Sequence, residues 1–246
     1  MFTLPTAPKP AAQALNQDGL SLLTPSDLAA TLPADWAQAW PALASSWDHL
    51  PPDAHLKDGG HYRRRRHSCY VQHLDSGQLE QVAHRAHWQP VDYNAMHGGF
   101  ERWFEPVEPA VASAPAWSAL LSRLGQLFSQ VQPGPRWYIE AHQFRIDTAG
   151  GVGRPTPEGA HRDGVDFVVV MLVARRRVKG GETRVFDANG PHGLRFVMQE
   201  PLTALLLDDS RVIHETTPIL PLDAATPDGY RDTLVLTYRA TGFQAK

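Results

Sequence analysis

Pro155-Thr156-Pro157-Glu158-Gly159-Ala160-His161-Arg162-Asp163-Gly164-Val165-Asp166-Phe167 is the stretch from which the rest of the chain can be read. His161 and Asp163 are one residue apart, and in extended backbone residues i and i+2 point to the same side. An imidazole and a carboxylate therefore reach one point in space, and that point could hold a metal ion. The pair alone is weak evidence, because His73-Leu74-Asp75 has the same form. There the following Ser76-Gly77 predicts the turn of a hairpin. What distinguishes the first stretch is its setting. It is preceded by the loop Gly150-Gly151-Val152-Gly153-Arg154-Pro155 and followed by the apolar run Phe167 to Val173, the pattern of a strand buried on both faces.

Working outward, Trp137 to Ile146 reads as a strand, with its inward face left open by alternation. Downstream, Lys179-Gly180-Gly181-Glu182 predicts a turn. Strands follow over Thr183 to Phe186, Leu194 to Met198, Thr203 to Leu207, Arg211 to His214 and Arg231 to Tyr238, with a proline-rich loop over 218–229. Many short strands with turn signals between them and almost no helical pattern indicate a double-sheet barrel or jelly roll. The fold class is thus mainly β with flanking helices around a jelly-roll core.

The N-terminal half differs. Residues 1–12 are rich in proline and alanine and read as irregular. Thr24-Pro25-Ser26-Asp27 predicts a helix start, with Ser26 or Asp27 as cap, and Asp27 to Leu43 one or two short helices. Pro51 to Gly60 reads as loop. Arg63, Arg64, Arg65 and Arg66 fall in an alternating stretch from Tyr62 to Val71, so two face one way and two the other. A solvated strand ranks first for them, a substrate or structural ion pair second and nucleic acid a distant third. Ala83 to Trp88 is expected to return as a strand, Tyr93 to Phe100 to form a Gly-containing loop, and Trp117 to Val131 a helix with Leu120, Leu121, Leu124, Leu127 and Phe128 on one face. We expect one domain over 1–246: a helical extension over 1–50, flanking strands and a helix over 51–135, and the core over 136–240.

Composition narrows the setting. A net charge of −3 over 246 residues argues for neither nucleic acid nor an anionic membrane as partner. The single cysteine, Cys69, excludes an internal disulfide and suits a reducing cytoplasm. No signal-peptide pattern or apolar span is present, so a cytoplasmic chain is expected, with a homo-oligomer compatible with it.

Two histidines and one carboxylate on one face are the ligand set of non-haem iron(II) oxygenases. Of the twelve histidines, His214 stands out as third ligand because it ends a strand. His192 reads as loop, and His142 lies within a strand from which it could line a pocket without binding metal. Arg231 and Thr233 open the final strand on one side; a guanidinium and a hydroxyl there could grip the distal carboxylate of 2-oxoglutarate.

The order of these pieces resembles the iron(II)- and 2-oxoglutarate-dependent dioxygenase superfamily. More narrowly it is similar to the bacterial family containing L-isoleucine 4-hydroxylase and related free amino-acid hydroxylases. The matching stretches are Pro155 to Phe167, Gly180 to Thr183, Leu206 to Asp209 through His214, and Tyr230 to Thr233 through Arg239. Tyr62 to Arg66 and Tyr93 to Gly99 are also similar. The resemblance implies a double-stranded β-helix, with His161, Asp163 and His214 as iron ligands and Arg231 as 2-oxoglutarate anchor. Thr233 is added from its position. Iron(II), 2-oxoglutarate and O2 are the implied cofactors, and the side chain of a free L-amino acid the implied site of hydroxylation. Ala160 departs from the larger aliphatic residue commoner there. For substrate contacts we expect an arginine of the 63–66 run, Arg65 foremost, for the carboxylate, Glu140 for the ammonium, and Phe167 in the pocket. The rival readings are a cupin-like enzyme without 2-oxoglutarate, a non-catalytic binding module, and a zinc hydrolase that would leave Arg231 unexplained.

Overall fold

The computed structural model describes residues 9–94, 96 and 98–246. Ala95 and His97 of the expected Gly-containing loop, and residues 1–8 of the expected irregular start, lie outside these. The chain opens with α1 (Ala11–Asp18), β1 (Leu20–Leu23), α2 (Pro25–Ala30) and α3 (Trp36–Ala44), the last running into a 3-10 turn over Ser45–His49. β2 (Arg63–His73) and β3 (Leu79–Gln81) form a hairpin. α4 (Pro109–Ala112) and α5 (Pro115–Phe128) follow. Then come β4 (Arg136–Asp147), β5 (Phe167–Arg176), β6 (Val178–Gly180), β7 (Thr183–Asp187), β8 (Gly193–Phe196), β9 (Ala204–Asp208), β10 (Val212–Thr216), β11 (Ile219–Pro221) and β12 (Tyr230–Arg239).

All paired strands are antiparallel. A seven-stranded sheet has the order β1-β9-β5-β12-β4-β2-β3, a three-stranded sheet the order β10-β7-β8, and β11 pairs with β6. This is the jelly-roll arrangement expected from the sequence. β2 sits inside the large sheet, next to β4, so the 51–135 region supplies one of its long internal strands rather than only flanking it.

Strand alternation divides the large sheet into two faces of different chemistry. On β12, Leu234, Leu236 and Tyr238 face the helices, while Arg231, Thr233, Val235 and Thr237 line a cavity. On β4, Trp137, Ile139 and Ala141 join the helical side; His142, Phe144 and Ile146 line the cavity. That settles which side of Trp137 to Ile146 points inward. On β5, Phe167, Val169 and Met171 pack under the helices, and Val168 and Leu172 pack with Val185 of β7. α5 lays Leu120, Leu121, Leu124 and Phe128 on the sheet.

Several local expectations need correction. Residues 11 and 12, expected to be irregular, begin α1, which packs Leu15 into the core and stops at Gly19, whose φ of +74° is costly for other residues. The cap of α2 is Thr24, not Ser26 or Asp27. Its hydroxyl accepts from the Asp27 amide while the Asp27 carboxylate accepts from the Thr24 amide, a reciprocal capping box. The strand returning on β2 is Leu79–Gln81. Ala83 to Trp88 has no ladder beyond one bridge, His87 to Arg102. The 218–229 loop begins with a short strand, β11, and α5 ends at Phe128, earlier than Val131.

Phe167 stacks on Phe128 with ring centroids 4.4 Å apart and nearly parallel planes, and Trp137 meets its edge. Removing such a fully buried ring costs about 3–5 kcal/mol. Phe167→Ala is expected to lower the unfolding free energy by that amount in a urea titration; a loss under about 1 kcal/mol contradicts this placement.

Candidate active site

The loop between β4 and β5 is tied to β10 by a two-residue backbone bridge and by the Thr156 hydroxyl, which donates to the Thr216 carbonyl at 2.9 Å. The His161 amide donates to the His214 carbonyl at 3.0 Å, and the His214 amide donates back at 2.9 Å. The two side chains are thereby set beside one another, with ring centroids 4.7 Å apart. Asp163, two residues on, completes the group. Its Oδ1 lies 3.8 Å from His161 Nε2 and its Oδ2 3.7 Å from His214 Nε2. One donor atom from each of the three lies within 4.8 Å of the others, a separation that could hold a metal ion. His161 Nδ1 donates to the Gly159 carbonyl at 2.9 Å, which leaves the Nε2 lone pair directed at the group.

Asp209, at the end of β9, sets the path of this loop. Its Oδ1 accepts from the Asp163 amide at 3.0 Å, and its Oδ2 from Gly164 and Val165 at 2.8 and 3.1 Å. Arg162 turns the other way and donates to the Asp209 carbonyl. Gln89 donates to Asp163 Oδ1 at 3.1 Å and is itself fixed by Arg102 and Asn94, which donate to its Oε1 at 2.8 and 3.2 Å.

The electrostatics of the group are those of excess negative charge under burial. Desolvation raises the Asp163 carboxyl against the pull of His161, and raises Asp209 with help from the Asp163 charge. His161 is raised because Asp163 and Glu158 outweigh its burial. For His214 burial, followed by His161, outweighs the opposing pull of Asp209 and pushes it to about 3. A neutral imidazole is the form that ligates a metal.

Across the cavity, Arg231 is 3% exposed, and its Nε and Nη2 have no partner. Burial, and then Arg175, bring it down to about 10. Thr233, Thr216 and Val235 adjoin it in the cavity wall.

A second polar group lies beneath the cavity. Glu140 Oε2 accepts from His67 Nε2 at 2.8 Å and from His87 Nδ1 at 2.6 Å, with His142 Nε2 at 3.7 Å. Four donor atoms converge here too, but the hydrogen bonds speak against a metal. Arg65 Nη2 donates to His142 Nδ1 at 2.7 Å. A guanidinium has no lone pair to offer, so His142 Nδ1 is the acceptor and its proton sits on Nε2, the atom a metal would need. The protons on His67 and His87 likewise point at Glu140. Burial alone would raise Glu140, but the His87 and His67 donors outweigh it and hold the carboxyl well below the usual range. Burial pushes His87 down to about 3 and His67 and His142 below their ordinary values.

Of the residues expected from sequence, His161, Asp163 and His214 are brought together, and Arg231, Thr233 and Arg65 line the same cavity. Phe167 does not. It lies on the opposite face of the sheet in the aromatic stack, because its neighbour Val168 takes the other side. Glu140 is enclosed by histidines and is not at the cavity surface, so it is not available for an ammonium group. His192 is exposed and distant, and His142 lines the cavity. Sequence reasoning missed Asp209, Gln89 and Arg102 as parts of the site. The Asp208-Asp209-Ser210 turn offered a signal for the first; nothing periodic marked the others.

A sequence model described as 2OG-Fe dioxygenase matches residues 44–237 of the chain. The chain belongs to the 2OG-Fe dioxygenase family. It is accordingly a 2-oxoglutarate-dependent non-haem iron dioxygenase that uses iron(II), 2-oxoglutarate and O2. The dioxygenase is 58% identical to a solved bsmA homolog from Methylobium petroleophilum PM1, with 98% of this chain and 96% of that one covered and a TM-score of 0.91. IDO from Bacillus thuringiensis shares the fold at 16% identity, with 98% and 99% covered and a TM-score of 0.77. So does TqaL, an Fe(II)/(alpha)ketoglutarate-dependent dioxygenase, at 21% identity, with 93% and 85% covered and a TM-score of 0.69. No curated protein matches the chain. No helix among the described residues is long and apolar enough to cross a membrane.

Two predictions follow from the site. Asp209→Ala orphans three backbone donors and frees the Asp163 loop; we expect affinity for Mn(II), read by electron paramagnetic resonance, to fall about 10- to 100-fold. The second concerns acid. An unfolded histidine titrates near 6.5, whereas folded His87 titrates near 3. Between these values the unfolded chain binds the extra proton, so stability falls as pH drops from about 6.5 toward 3, by up to about 1.4 kcal/mol per pH unit per histidine. His67 and His142 act in the same direction. Metal-free protein should therefore lose denaturant resistance steeply below pH 6.5, and His87→Gln should shallow that slope; a flat profile contradicts the assignment.

Proposed function

We propose that this dioxygenase works as one domain in which His161, Asp163 and His214 hold the iron, Arg231 with Thr233 holds 2-oxoglutarate, and the side chain of a free L-amino acid is hydroxylated. The observation that carries the reading is the pairing of two unmet needs across one cavity. On one side, two imidazoles and a carboxylate converge, with burial and the neighbouring Asp209 charge set against only the histidines. On the other, a buried guanidinium has two donors with no acceptor. A divalent metal answers the first and a carboxylate the second, and 2-oxoglutarate joins a metal-chelating 2-oxo acid to a distal carboxylate.

Iron(II) with 2-oxoglutarate and O2 supplies the oxidising power, with succinate and carbon dioxide as co-products. The chain's own residues do the rest. The Gly159 carbonyl fixes the His161 tautomer, Gln89 orients the Asp163 carboxylate, and Asp209 holds the backbone that carries it. Arg231 binds its anion from a fixed position with little water to compete, which strengthens each hydrogen bond. Burial of the cavity behind β2, β4, β5 and β12 keeps bulk water from the reacting carbon. The amino-acid substrate is supported by the resemblance of Pro155 to Phe167 and by the charged character of the remaining cavity wall.

Arg231→Met is expected to raise the KM for 2-oxoglutarate by about 100-fold or more, since two charge-assisted hydrogen bonds contribute about 3–5 kcal/mol together. Arg231→Lys should recover part of it. Succinate release coupled to amino-acid hydroxylation is the assay. An unchanged KM for 2-oxoglutarate in Arg231→Met would contradict Arg231 as the anchor of its distal carboxylate.

A further inference from the structure

One distal carboxylate at Arg231 does not account for the positive charge in the cavity. Arg63, Arg65 and Arg102 also line it, and all three are buried, Arg102 to 2% exposure. Asp53 contacts two of them, bonded to Arg63 Nε at 2.7 Å and 3.9 Å from Arg65 Nη1. Each guanidinium is anchored by one atom and left with another unpaired. Arg63 is held through Nε and has Nη2 unmet. Arg102 donates through Nη2 to Gln89 and has Nε unmet. Arg65 is committed to the wall: it donates to His142 and lies between the Phe104 and Phe144 rings at 3.7 and 4.4 Å. That leaves Arg63 and Arg102 as neighbours of like charge, close enough that Arg63 adds to burial in bringing Arg102 down to about 10.

The complementary group is Glu158. It lines the same cavity, and its Oε2 is buried with no partner. Its Oε1 lies 3.6 Å from His161 Nε2, but Glu158 does not join the three residues whose donor atoms all converge. Its charge is felt by Arg102, yet no ion pair joins it to Arg102 or Arg63 among the described contacts. A cationic pole and an anionic pole thus face one space without touching. Burying either unpaired costs several kcal/mol, so a ligand that meets only one of them leaves a penalty behind.

We propose that Arg63 and Arg102 clamp the carboxylate of the amino-acid substrate and that Glu158 takes its ammonium group, so that the cavity selects an unmodified α-amino acid. This rests on the amino-acid reading above and replaces Glu140 in it. An α-amino acid carries both charges on one carbon and so meets both poles of one cavity. Anchored guanidiniums lose little freedom on binding it.

The test uses the iron-loaded enzyme with 2-oxoglutarate. Each of the twenty proteinogenic L-amino acids is screened for succinate release, and the best is compared with its carboxamide and its N-acetyl derivative. Both derivatives should lose at least about 100-fold in kcat/KM, a result that needs no variant to fold. Calorimetry under anaerobic conditions then follows Arg63→Met and Glu158→Gln. The Kd of the parent amino acid should rise about 30-fold or more, that of 2-oxoglutarate less than threefold, and Arg63→Lys should recover part of the loss. Derivatives used as well as the parent, or variants within threefold of the native Kd, overturn the clamp and leave the amino-acid reading standing. No succinate above background with any amino acid overturns both.

Discussion

The site depends on two backbone hydrogen bonds between His161 and His214. They are the whole of the ladder at that point, and they join a loop to a strand of the smaller sheet. An antiparallel pair that exchanges both bonds fixes the distance between its Cα atoms and points both side chains to one side. The imidazoles are thus placed by main-chain geometry, before any metal is considered. Asp163 is then placed by alternation from His161, and Asp209 prevents the loop from relaxing by accepting from three successive amides. Buried amides left without acceptors would be costly, so Asp209 stabilises the loop only in the path that directs Asp163 inward.

The other half of the site comes from the opposite chemistry of the two sheet faces. The same strands bury Leu234, Leu236, Ile139 and Ala141 against the helices and present Arg231, Thr233, His142 and Phe144 to the cavity. Apolar burial on one face, at about 25 cal/mol per Å², supports the strands on which charged groups are held away from water on the other. The unmet donors of Arg63 on β2 and Arg231 on β12 are tolerable because the sheet cannot yield to them. In the proposed function, donors kept poised in this way give the cavity its affinity for anions.

Much of this was legible in the sequence, for reasons that can be named. Arg231 opens the last strand, and His161-x-Asp163 lies in the loop marked by its glycines, where alternation gives the direction. His214, expected to end a strand, sits in the middle of β10, which runs on to Thr216. Phe167 was not legible, because a strand apolar on both faces carries no parity, and it went to the helical side with Phe128. Glu140 looked free because its enclosure depends on the register that sets His67 of β2 opposite His142 of β4. Arg102 and Gln89 come from a segment with no repeating pattern, held by a single bridge between His87 and Arg102. Long-range register and irregular loops are where local pattern says least.

Two groups could hold the metal: His161, Asp163 and His214, to which we assign it, and the nearby three histidines with Glu140. Anaerobic iron(II) titration with metal analysis decides between them. The native protein and His87→Gln should each bind one iron per chain, and His214→Ala should retain none. Iron kept by His214→Ala and lost by His87→Gln would contradict the assignment.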